Sequence, residues 1–182
     1  MKTVHVIAFV IGSLLLVGGG VFFLSRSQAQ SSNNSQAASQ AEPIDGILCQ
    51  SMEGSAYHVH THVDMFVDGQ QVPLDAKIGV LGLCMYWTHT HDTSGIIHVE
   101  SPELDKHFTL GNFFNIWGKK LSLEEFLDKK IDATHPLKVY VNGEEYKGNP
   151  RDIVLDAHKQ ITIVYGQPPA NIPNSFNFPQ GL

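Results

Sequence analysis

His58, His60 and His62 alternate with Val59 and Thr61, and His89-Thr90-His91 repeats the same spacing further along the chain. His98 and Glu100 follow, so that six of the ten histidines fall between positions 58 and 98. Neutral imidazole is a good ligand for copper, zinc, iron and nickel, and carboxylates ligate beside it. Alternate side chains on a strand stand roughly 6.5–7 Å apart on one face, so two such rings converge on one ion more readily than three in a row. The expected site therefore draws on both groups. Its candidate ligands are His58, His60, His62, His89, His91 and His98, joined by Glu100 and Asp92, which either ligate or accept the far ring N–H of a ligand and fix its tautomer. Asp64, two residues past the triplet, is a further candidate for that orienting role. The competing readings of the same residues are a hydrogen-bonded or pH-sensing histidine network and a surface patch that meets metal only incidentally.

The elements that must carry these side chains follow from periodicity. From Tyr57 to Val67 apolar and polar residues alternate, which is the period of a strand, and Asp68-Gly69 supplies a hairpin turn. Gln71 to Val80 is the expected return strand, placed at an edge or bulge by Pro73, which has no N–H to donate. Met85 to His91 and Ile96 to Glu100 are expected to form a second hairpin around Asp92-Thr93-Ser94-Gly95. That register pairs His91 with Ile96 and His89 with His98. It sends Trp87, His89, His91, His98 and Glu100 to one face, and Thr88, Thr90, Ile97 and Val99 to the other.

Beyond the histidines, Leu110, Phe113, Phe114 and Trp117 recur at helical spacing behind a capping Thr109, with Gly118 at the stop. Ser122-Leu123-Glu124-Glu125 reads as a capping box opening a second short helix, with Leu123, Phe126 and Leu127 inward. Val139 to Val141 before Asn142-Gly143, then Ile153 to Leu155 and Ile161 to Tyr165, are strand candidates. The proline-rich stretch 167–182 is expected as extended coil on the surface. The fold class these imply is α+β: a mostly antiparallel sheet built from hairpins, with one or two short helices against it.

Net charge is −6 and the twelve Lys and Arg residues never cluster, which argues against a nucleic-acid partner. Val4 to Leu24 is an apolar run of the length that spans a bilayer, so residues 1–26 are expected to be an uncleaved anchor or, alternatively, a signal segment cleaved after Ala29. Residues 27–42 are rich in Ser, Gln, Asn and Ala and read as a flexible polar tether. The folded domain is expected over 43–182. Both readings of the N-terminus place that domain outside the cytoplasm, where Cys49 and Cys84 are expected to pair as a disulfide.

Several stretches together resemble one family. They are Tyr57-His58-Val59-His60-Thr61-His62; Cys84 with Trp87-Thr88-His89-Thr90-His91-Asp92; Gly95-Ile96-Ile97-His98-Val99-Glu100-Ser101-Pro102; Phe108-Thr109-Leu110-Gly111, Phe114 and Trp117-Gly118; and Val164-Tyr165-Gly166. The pattern is similar to that of uncharacterised, secreted or membrane-anchored prokaryotic His-rich domains. The resemblance implies a shared fold and an extracytoplasmic position, and it carries no activity. From the chemistry, the expected function is a membrane-tethered extracytoplasmic domain that binds copper or zinc, with a protein partner in the cell envelope. The alternatives are a small metalloenzyme using three histidines and an open position, or a metal-free structural or interaction domain.

Overall fold

The computed structural model describes residues 41–182. The anchor or signal segment expected over 1–26, and all but the last two residues of the tether expected over 27–42, lie outside the described residues. Among the described residues, no helix is long and apolar enough to cross a membrane.

Among the described residues the first strand is β1 (Cys49–Gln50), and the longest element is β2 (Tyr57–Val67). The alternation of β2 sorts its two faces. Tyr57, Val59, Val63, Met65 and Val67 join the apolar core, and the histidines take the other side. Asp68 and Gly69 both have positive φ, as a two-residue type I′ hairpin turn demands. The return strand β3 (Gln70–Val72) pairs with Val67 to Met65 of β2 and ends before Pro73. It is thus far shorter than the Gln71–Val80 strand expected. Only Val80 of that range is in another strand, β4 (Val80–Leu81), which forms a separate small sheet with β1 and β5 (Cys84–Tyr86) in the order β1-β5-β4.

The expected Met85–His91 strand is broken in the same region. β5 ends at Tyr86, and β6 (Thr88–His89) joins the main sheet against β7 (Ile96–Ser101). Trp87, expected on the histidine face, is buried in the apolar core with its ring edge-on to Phe108 and its Nε1–H donating to Gln50 Oε1. The core is the better place for so large an apolar surface once its single N–H has a partner. The expected pairing of His89 with His98 is present. The pairing of His91 with Ile96 is not, because Thr90 leaves the ladder. Its N–H donates to the Ile78 carbonyl and its hydroxyl to the Asp75 carbonyl.

Helix α1 (Leu110–Trp117) starts at Thr109, whose hydroxyl accepts from the Asn112 N–H, and stops at Gly118 in the left-handed conformation. Leu110, Phe113 and Phe114 are fully buried beneath the sheet. The second helix expected at Ser122 is replaced by a hairpin of β8 (Lys120–Leu121) and β9 (Glu125–Leu127), extended by β10 (Lys129–Lys130). Ser122 Oγ does accept from the Glu124 and Glu125 N–H groups, as a capping serine would. The Ser122 N–H, however, goes to the Glu125 carbonyl and closes a turn. Phe126, fully buried near Phe114, is seated by this hairpin, whereas Leu123 is 70 % exposed and not inward.

The remaining strands are β11 (Leu137–Val141), β12 (Glu144–Tyr146) and β13 (Gln160–Tyr165), with a 3-10 turn at Pro150–Asp152 between the last two. Asn142 and Gly143, both at positive φ, link β11 to β12. Ile153 to Leu155 forms no strand beyond one bridge from Val154 to Thr109. The main sheet runs β12-β11-β13-β2-β7-β6 with β3 beside β2, and every pairing is antiparallel except β13 with β2. The α+β class, a sheet-rich fold with a short helix, is therefore the observed one.

Cys49 and Cys84 form the expected disulfide, joining β1 to β5 across 35 positions. Closing a loop of that length restricts the unfolded chain by about 3–4 kcal/mol. The Cys49→Ala/Cys84→Ala double variant should therefore lose about that much unfolding free energy, seen as a lower urea midpoint. An unchanged midpoint would count against the bridge as a stabilising element.

Candidate metal centre

Register decides which imidazoles meet. β2 pairs antiparallel with β7 so that His58 lies opposite Glu100, His60 opposite His98 and His62 opposite Ile96. β6 flanks β7 on its far edge and puts His89 opposite His98. The cluster is thus a row across three adjacent strands, β2-β7-β6, on the sheet face opposite Val63, Ile97 and Val99. His91, just outside the ladder, folds back over the row. Its Nε2 lies 3.3 Å from His89 Nε2 and its ring stands edge-on to His98 at 4.4 Å between centroids.

The ligand-capable atoms lie close together. His60 Nε2 is 3.1 Å from His98 Nδ1, His98 Nδ1 is 3.2 Å from Glu100 Oε1, and His58 Nε2 is 3.2 Å from the same oxygen. His89 Nδ1–H donates to the Tyr86 carbonyl at 2.9 Å, which fixes the tautomer and leaves the Nε2 lone pair facing the cluster. His89 Nε2 stands 4.0 Å from Glu100 Oε2. Two groups of four residues each bring one atom per residue within 4.8 Å of all the others: His58, His60, His98 and Glu100; and His89, His91, His98 and Glu100. These groups, each three buried residues and one exposed histidine, are able to hold a metal ion.

Burial shapes the electrostatics. His60, His89 and Glu100 are buried, while the side chains of His58 and His91 are 48 % and 47 % exposed and form the rim. Burial lowers His60 to about 4, helped by the neighbouring His98 and His58 and opposed by Glu100. Burial likewise lowers His89 to about 4, against the opposing pull of the Tyr86 carbonyl and Glu100. Both rings are therefore neutral at physiological pH and have lone pairs to give. Burial pushes the Glu100 carboxyl up, but the hydrogen bond from His98 and the nearness of the His89, His58 and His98 rings outweigh it and hold Glu100 below its ordinary value. Glu100 is thus an anion inside the protein, and its Oε2 is buried without a hydrogen-bond partner among the described residues.

Two of the expected site residues lie apart from both groups. His62 has Nδ1 2.8 Å from Gln160 Oε1 and Nε2 2.9 Å from the Ser94 carbonyl, and its ring stacks on Phe176 at 3.7 Å. Neither nitrogen offers a lone pair to the cluster. Asp92 is exposed and caps its own turn, where hydrogen bonds from Ser94 hold its carboxyl below the usual range. Asp64 acts at one remove, accepting from Gln160 Nε2 and so aiming the amide that holds His62. A residue that sequence reasoning missed is Glu53, whose Oε1 lies 4.0 Å from His91 Nε2 at the rim. It sits in an irregular segment without periodicity, and no signal in the sequence marks it.

Comparison of the chain with protein-family models, with curated proteins and with solved structures yields no match. The chemistry of the cluster therefore carries the functional argument.

The low values of His60 and His89 have a consequence for stability. Unfolded imidazoles titrate near 6.5, so between about pH 6.5 and 4 the unfolded chain binds more protons than the folded one. Stability is then full above that window and falls as pH drops through it. The thermal midpoint of chelator-treated protein should decline from pH 7 to 4.5. A midpoint flat over that range would contradict the burial of neutral rings.

Proposed function

We propose that this protein is a membrane-tethered, extracytoplasmic domain that binds copper or zinc through its histidine cluster, for buffering, delivery or sensing. The observation that carries the reading is Glu100. A buried carboxylate oxygen with no hydrogen-bond partner among the described residues is unfavourable to leave so, and a cation between that oxygen and the neutral His89 ring would satisfy it. Imidazole with carboxylate suits copper and zinc. The Cys49–Cys84 disulfide supports an oxidising compartment, and the apolar run Val4–Leu24 together with the family resemblance supports tethering to the outer side of a membrane. The exposed rim suits handover of the ion to a protein partner in the cell envelope.

A second reading, a metalloenzyme, draws on the same rim. With His58 and His91 half exposed, an ion behind them is reachable by water or a small substrate, as a catalytic site with an open position requires.

The test is metal content. Full-length protein stripped with a chelator, reloaded with Cu(II) or Zn(II) and dialysed should retain stoichiometric metal by elemental analysis. His98→Ala removes the imidazole common to both groups and should weaken affinity by about tenfold or more, the scale seen when even the residues around a metal site are disturbed. Protein that retains neither metal would refute the proposal.

A further inference from the structure

The cluster offers more ligands than one ion takes. Five imidazoles and a carboxylate make up the two groups, which share only His98 and Glu100. With bonds of about 2.0–2.2 Å, two ligand atoms on one ion stand at most about 4.4 Å apart. The six residues do not gather within 4.8 Å as one set, but they do so as two sets of four.

Within each set the spacing suits coordination. A tetrahedral ion with bonds of about 2.0–2.1 Å holds its ligand atoms about 3.3–3.4 Å apart. The His60–His98, His98–Glu100 and His58–Glu100 separations are 3.1, 3.2 and 3.2 Å, and His89 to His91 is 3.3 Å.

Glu100 divides its oxygens between the sets. Oε1 faces His58 Nε2 and His98 Nδ1, whereas the unpartnered, buried Oε2 faces His89 Nε2. A carboxylate whose two oxygens point to two separate ligand sets has the form of a bridging ligand.

We propose that the cluster is a dinuclear centre, with one divalent transition-metal ion held by His58, His60, His98 and Glu100 Oε1, a second held by His89, His91 and Glu100 Oε2, and the Glu100 carboxylate bridging them. This rests on the metal-binding reading above. The first ion has four protein ligands. The second has three and an open position toward the rim, where Glu53 stands 4.0 Å from His91 and adds negative charge against the pair of cations. Ions bridged in this way lie about 3.5–4 Å apart, close enough for their unpaired spins to couple.

Titration of metal-stripped, full-length protein with Cu(II), followed by equilibrium dialysis and electron paramagnetic resonance, tests the proposal. Two coppers per chain are expected, with an isolated-copper signal that grows and is then lost as the coupled pair forms. His58→Ala and His91→Ala alter half-exposed rim residues, so the fold is retained. Each should weaken one of the two ions by about tenfold or more, leaving one copper with an uncoupled signal. Saturation at one copper per chain, or two coppers with no coupling, overturns the bridged pair while the metal-binding reading stands. No retained copper removes both.

Discussion

The registration of β2 against β7 governs everything else in this molecule. Side chains on a strand alternate faces, so a slip of one residue would send His58, His60 and His62 into the core and Val59 and Val63 out of it. Pairing of Val59 with Val99 and of Thr61 with Ile97 locks the apolar side. The imidazoles opposite are carried into place by the burial of their neighbours. The same registration leaves Glu100 buried beside His58 and His98.

Second to registration is the anchoring of each ring from outside the sheet. His89 is turned by the Tyr86 carbonyl at the break between β5 and β6. Thr90 is fastened to the Asp75–Ile78 loop and so swings His91 back over the row. The broken strand that departs from simple alternation is what gives the cluster its fifth imidazole. Irregular backbone here serves the site directly.

Much of this was legible in the sequence, and the legible part has a common physical basis. Period-two alternation placed β2, turn chemistry placed the Asp68-Gly69 and Asn142-Gly143 hairpins, and a four-residue turn set His89 across from His98. Each is local. The pairing of β2 with β7 is not, since it joins residues some forty positions apart, and so the sequence led to a site shared by both histidine groups but not to the register that sets His60 opposite His98. The fate of His62 depends on Gln160 and Phe176, about a hundred residues away. The misread helix at Ser122 has another cause. A serine hydroxyl satisfies the same N–H donors in a tight turn as at a helix start, and only the seating of Phe126 in the core chooses between them.

Phe176 and Phe178 lie over one end of the histidine-bearing face, stacked on His62 and His158 respectively, with Thr162 Oγ1 tied to the Pro173 carbonyl. This proline-rich strap acts as a partition. It covers the ring of His62, whose nitrogens Gln160 and Ser94 already occupy, and so helps to set one imidazole of the row apart from the rest while contributing no donor atom of its own. Substitutions in the strap therefore act on which imidazoles are free without touching the His58, His60, His89, His91 and His98 positions themselves.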